Sequence, residues 1–90
     1  MYKYNNSKYN SNPLKFNRKA YELISEGHSI IEISEILNIS YDTIVKKMKT
    51  KRYNAQCKCL DLYNQGKDIR YIHNITGLSY DTIDLYLGIK

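Results

Sequence analysis

The sequence predicts an all-α fold made of two tandem three-helix units, six helices in total. Three observations lead there. Residues 20–49 and 59–88 align at an offset of 39 positions without a gap, and ten of the thirty pairs are identical, the run Ser40 to Ile44 returning whole as Ser79 to Ile83. Register kept over that length marks a tandem repeat. Isoleucines stand at 30, 33 and 36 and again at 69, 72 and 75, spacing for one apolar stripe on a helix. Gly27 matches Gly66, and Asn38 matches Gly77; Gly and Asn are the residues that end helices by turning left-handed at low cost.

The elements follow in order. The first helix of each unit reads "NRKAYELISEG" or "QCKCLDLYNQG", with Gly27 or Gly66 just past its end. Ser29 and Asp68 are good caps for the second helix, and Glu32 stands three residues after Ser29, the capping-box spacing. That helix, "IIEISEIL" or "IRYIHNIT", is short because Asn38 or Gly77 stops it, a replacement that preserves a backbone angle and not a side chain. Ile39 or Leu78 then plugs the core, and Ser40 or Ser79 caps the third helix. Asp42 or Asp81 lies beside the positive end of that helix, Thr near the surface, and Ile44 or Ile83 in the core. No Gly or Pro falls between Asn38 and Gln65, so rigid packing of the two repeats is expected over flexing at Tyr53 to Gln56, with the third helix running almost straight into the fourth. The expected division is a flexible basic tail over residues 1–15, a first unit over 16–52 and a second over 53–90.

Composition narrows the function. The chain has 90 residues, 42% hydrophobic and 26% charged, ordinary for a soluble globular protein. No apolar run approaches the roughly 20 residues a membrane span needs. The amino end, "MYKYNNSKYNSNP", lacks a signal peptide's apolar core and a Gly at position 2 for acylation, so a cytoplasmic location is expected. Cys57 and Cys59 are the only cysteines and lack further ligands at finger-like spacing, which points to small buried residues in a reducing compartment. His28 and His73 hold non-equivalent places in the two copies and read as structural or exposed. The sequence shows no paired carboxylates with plausible roles, no nucleophile with a base, no phosphate-cradling loop and no metal cluster, so neither catalysis nor a cofactor is expected.

Helix, glycine turn, short helix, tight turn closing on an apolar residue and a Ser cap, third helix: this order is carried by "IIEISEILNISYDTIVKKM" and "IRYIHNITGLSYDTIDLYL". It resembles the helix-turn-helix unit of DNA-binding proteins. The most similar forms are the three-helix units of response-regulator output domains, of the sigma-factor domain that reads promoters, and of resolvase or transposase binding domains. The likeness covers Phe16 to Lys90. It implies a third helix that enters the major groove of double-stranded DNA with its amino-terminal residues at base edges.

Charge separates the two copies. Residues 1–19 carry five positive charges and no acid, 20–42 five acids and no Lys or Arg, 43–58 six positive charges and no acid, and 59–90 three positive against four negative, giving a net charge of +5. Phosphate attraction supplies most non-specific DNA affinity, so binding is expected at the first copy's third helix and its exit. With Ile44 buried and about 100 degrees per residue, Met48 falls on the core side while Asp42, Val45, Lys46 and Lys49 face outward. Lys46 and Lys49 are then expected to face the groove, Tyr41 and Thr43 to donate to phosphates, and Lys47, Lys51 and Arg52 to flank the backbone. Val45 could meet a thymine methyl group, and Asp42 could accept from a cytosine amino group or serve the helix dipole. The tail is expected to be disordered when free, with a groove-tracking arm and an idle terminus both open. In the second copy Asp81, Asp84 and Leu85 face outward and Tyr86 flanks the buried stripe, which suits a protein partner or a homodimer better than a polyanion.

The expected function is a small sequence-specific DNA-binding transcriptional regulator, chromosomal or carried by a phage or other mobile element. Two alternatives stand beside it. One is a transposase-like or recombinase-like DNA-binding module standing alone. The other is a helix-turn-helix scaffold used as a protein-binding adaptor or inhibitor, gripping RNA polymerase or a defence factor.

Overall fold

Six helix starts are each fixed by a side chain that accepts the backbone N–H three residues ahead: Asn12, Ser29, Ser40, Thr50, Asp68 and Ser79. They open the helices of a computed structural model that describes residues 12–89: α1 (Pro13–Ser25), α2 (Ile30–Leu37), α3 (Tyr41–Lys47), α4 (Lys51–Asn64), α5 (Ile69–Thr76) and α6 (Tyr80–Leu87). The described residues contain no strand. At Ser29 the capping box is complete, since Glu32 accepts the Ser29 N–H at 2.9 Å while Ser29 accepts that of Glu32 at 3.2 Å. Helix α2 ends at Asn38 with φ of 58° and α5 at Gly77 with φ of 76°, and Asn38 is the one left-handed residue other than glycine among those described.

Each tight turn after α2 or α5 is tied by a different side chain. The Ser34 hydroxyl donates to the Ile39 carbonyl at 2.7 Å. His73 Nδ1 lies 2.6 Å from the Leu78 carbonyl, and because a carbonyl can only accept, the imidazole proton is on Nδ1. The His73 ring is also stacked on Tyr80, centroids 4.5 Å apart.

Burial sorts the apolar residues into two clusters. One joins Phe16, Ala20, Leu23, Ile33, Leu37, Ile39, Ile44 and Tyr53, with Ile30, Met48 and Cys57 packed against it. The other joins Cys59, Leu62, Ile72, Ile83 and Leu87, with Leu60, Ile69, Leu78 and Tyr86 around it. Helix α4 serves both, presenting Tyr53 and Cys57 to the first and Cys59 and Leu62 to the second.

The isoleucine stripe needs correcting. Ile36 and Ile75 are 50% and 51% exposed, and the inward place on α2 goes to Leu37. A helix face returns at i+3, i+4 and i+7, so Ile30, Ile33 and Leu37 share a side that Ile36 leaves.

Three further expectations meet a different structure. The tail expected over residues 1–15 is shorter at its carboxyl side, because Asn12 caps α1 and Pro13 opens it, a favoured first helical residue because its φ is already set; residues 1–11, where the rest of that expectation falls, lie outside the described residues. The third and fourth helices do not run straight on, because α3 stops at Lys47 and Thr50 takes extended backbone, φ −76° and ψ 153°, to cap α4. Tyr53 to Gln56 lie within α4, and Tyr53 and Gln56 are buried. Tyr53, which the expected division places in the second unit, packs in the first cluster.

Helix α1 packs on α4 and α6 through polar contacts. Gln56 Nε2 donates to the carbonyls of Leu14 at 3.0 Å and Tyr86 at 2.8 Å. Arg18 Nη1 donates to the Leu85 carbonyl at 3.1 Å, and Tyr21 donates to Asp61 while accepting from Asn64 at 3.2 Å. No helix among the described residues is long and apolar enough to cross a membrane.

Candidate nucleic-acid interface

The basic segment is built by two helix ends meeting at one turn. Helix α3 closes on Lys46 and Lys47, the turn carries Lys49, and α4 opens with Lys51 and Arg52. The turn is held by backbone and one hydroxyl: the Lys49 N–H donates to the Lys46 carbonyl at 3.2 Å, and the Thr50 hydroxyl donates to the Lys47 carbonyl at 3.1 Å while accepting the Tyr53 N–H at 3.1 Å. Lys49 was expected on the third helix. It stands instead in the turn after it, so the helical-wheel argument does not place it, although it is exposed.

The other residues expected at the site fall as follows. Tyr41 is 49% exposed at the start of α3, Asp42 is exposed beside it, and Lys46 is exposed near the helix end. Val45 is half-buried. Thr43 is half-buried too and is engaged locally, its Oγ1 at 2.8 Å from the Ser40 hydroxyl. Lys47 points differently from Lys46: its Nζ lies 5.3 Å from the centroid of the Phe16 ring, over the edge of the first cluster. Lys51 and Arg52 are exposed.

Electrostatics make this segment unusual. Among the described residues the ion pairs are Lys19 with Glu22 and His28 with Glu26 and Glu32, and none of them involves the five cations from Lys46 to Arg52. The first turn of α4 holds no acid but two cations. A positive side chain at the positive end of a helix is unfavourable by about 0.3 to 1 kcal/mol. A bound anion would reverse the sign of that interaction.

At α6 the contrast is clear. Asp81 is exposed and Asp84 half-buried on the face equivalent to that of α3. Leu85 is 49% exposed, with its backbone carbonyl held by Arg18. Tyr86 is less available than the sequence suggests, since its side chain packs against the second cluster.

The two cysteines are free, Cys59 buried and Cys57 half-buried. Burial pushes both thiols above their usual range; at Cys57 the Tyr53 hydrogen bond pulls the other way and Asp61 adds to the rise. Thiols so placed are poor nucleophiles at neutral pH. No group of three or more His, Cys, Asp or Glu that could hold a metal occurs among the described residues.

Sequence reasoning missed Asn17, Thr50 and Phe16, which line a cavity with Lys47 and Arg52. Their only sequence signal is adjacency to the cationic run for Thr50; Asn17 and Phe16 arrive through the fold. No family model, curated protein or solved structure matches the chain.

Proposed function

We propose that the protein is a small DNA-binding transcriptional regulator made of two three-helix helix-turn-helix units, the first of which reads double-stranded DNA through α3. The observation that carries the reading is the unpaired run of Lys46, Lys47, Lys49, Lys51 and Arg52 across the end of α3 and the start of α4. The paired-unit reading is supported by helix bounds that follow the sequence repeat, α2 and α5 both starting and ending 39 residues apart and α3 and α6 starting so. In this arrangement Lys46 reaches into the major groove, Tyr41 donates at the helix start, and Lys49, Lys51 and Arg52 meet the phosphate backbone.

Binding to a randomised duplex pool, followed by sequencing, tests the reading. The parent should enrich one motif, and a variant carrying Lys46→Glu and Lys49→Glu should lose it. Enrichment of nothing at low salt by the parent overturns the proposal.

One set of observations favours a protein-binding scaffold as the second reading: Ile31 at 61%, Ile36 at 50% and Tyr41 at 49% exposure are large apolar side chains on α2 and α3. Salt separates the two, because contacts to about four to six phosphates weaken binding with a log-log slope near −0.9 for each, whereas apolar association changes little.

A further inference from the structure

A cavity of about 410 Å³ opens between the start of α1 and the turn from α3 to α4, lined by Pro13, Phe16, Asn17, Lys47, Thr50 and Arg52. That volume falls within the roughly 300 to 1,000 Å³ of small-ligand sites. The lining contains two cations and no acid. Neither cation is in an ion pair among the described residues, and Lys47 is held over the cavity's aromatic floor by its contact with Phe16.

Asn17 supplies an independent observation. The residue is 3% exposed, and none of the side-chain hydrogen bonds between described residues involves its carboxamide. The one fully enclosed side-chain nitrogen or oxygen without a partner among the described residues is Gln56 Oε1. Asn17 is one of the residues that line this cavity. A buried amide in that state lacks a partner that a ligand oxygen would provide.

The cavity's edge is also the start of α4. Thr50 caps that helix, and helix geometry leaves the N–H groups of Lys51 and Arg52 without intrahelical acceptors. Those amides, the dipole behind them and the two cationic side chains all favour negative charge.

From these features together we infer that the cavity is a phosphate site. Arg52 and Lys47 counter the charge, the first amides of α4 and the Asn17 Nδ2 donate to phosphate oxygens, and the exposed Pro13, above the buried Phe16, is the apolar edge for the group that bears the phosphate. Such a phosphate has two sources. It is a backbone phosphate of the duplex, a source that rests on the DNA-binding reading, or it belongs to a phosphorylated small molecule of mononucleotide size, which does not.

The test is a two-dimensional NMR titration of the whole chain with inorganic phosphate, with adenosine monophosphate and with a short duplex, at ionic strength held constant with sodium chloride. Saturating shifts of the residue-52 backbone amide and the Asn17 carboxamide are expected, with affinity weakened about tenfold in Arg52→Ala, read from both signals, and in Asn17→Leu, read from the residue-52 amide. The Arg52 change is on an exposed side chain, so a folded spectrum of that variant keeps the test decisive if the Asn17 variant unfolds. Saturation by phosphate or the mononucleotide assigns a small ligand; saturation by duplex alone assigns the backbone. Absence of saturating shifts with all three probes overturns the site, as does a response unchanged in Arg52→Ala. A duplex that binds through Lys46 without moving the Asn17 signal, while phosphate and the mononucleotide also give no saturating shift, removes the site and leaves the DNA-binding reading intact. A mononucleotide that saturates while the duplex does not bind does the reverse.

Discussion

Gln56, in the middle of α4, donates to the carbonyl of Tyr86 in the last turn of α6 at 2.8 Å. Arg18 of α1 takes the neighbouring Leu85 carbonyl at 3.1 Å. The last carbonyls of a helix lack donors within the helix; here the Leu85 carbonyl shares the Gly88 N–H, at 3.2 Å, with Arg18, and Gln56 supplies a donor to Tyr86. A guanidinium there also complements the negative end of the helix dipole. The same Gln56 nitrogen reaches Leu14 in α1, so one buried carboxamide joins three helices.

Gln56→Ala should therefore lower stability by about 1 to 3 kcal/mol, the cost of leaving buried acceptors without donors. The loss is expected as a lower urea midpoint with the slope unchanged. A midpoint equal to the parent's would mean that the three-helix junction contributes nothing.

The turn between α2 and α3 depends on the backbone of Asn38, held at φ of 58°. Asn38→Ala should cost about 1 kcal/mol because a Cβ without a local hydrogen-bonding group is disfavoured there, while Asn38→Gly should match or exceed the parent. Chemical denaturation of the pair is the check, and equal losses in both variants would show that the Asn side chain, not the angle, is what the turn needs.

The cations divide by what they touch. Lys46→Ala should leave folding unchanged and reduce the salt slope of duplex binding by about 0.9, one phosphate's share, if it meets the backbone, or relax the enriched motif at one position if it meets a base. Lys47→Ala should in addition lower stability, because Lys47 Nζ sits 5.3 Å from the Phe16 ring centroid. Salt titrations and thermal melts of both variants separate the two roles.

If α6 is a dimer contact, the exposed Leu85 is its centre. Sedimentation should then find the parent as a dimer and Leu85→Asp as a folded monomer. A monomeric parent at high protein concentration removes that surface as a self-association site.

Acid sensitivity should come in part from Glu32. Its carboxyl is held below the ordinary value of 4.5, first by the Ser29 N–H and then by His28. A carboxyl with a depressed folded value contributes stability that is present above the unfolded value and is lost as pH falls through the folded one. The stability difference between the parent and Glu32→Gln should accordingly shrink as pH falls below about 4.5, and a pH-independent difference would assign the capping effect to shape alone.

Much of this was readable from residues taken one or two at a time. A Ser, Asp or Thr three residues before an amide makes a cap, and Gly or Asn after an apolar stripe makes a left-handed stop, because both depend on atoms a few bonds apart. The sequence by itself thus determined the helical class, the caps at Ser29, Ser40, Asp68 and Ser79, the left-handed stops at Asn38 and Gly77, and the concentration of positive charge from Lys46 to Arg52. Ile36 shows the limit of periodicity: spacing marks a stripe, but only the packed neighbours decide whether Ile36 or Leu37 fills the core. Tertiary structure alone decided that α4 serves both clusters, that Arg18 and Gln56 finish α6, and that Asn17 of α1 lies beside Lys47 and Arg52. Those relationships join residues some 30 to 67 positions apart, where nothing in local sequence fixes a distance and the burial of apolar faces does.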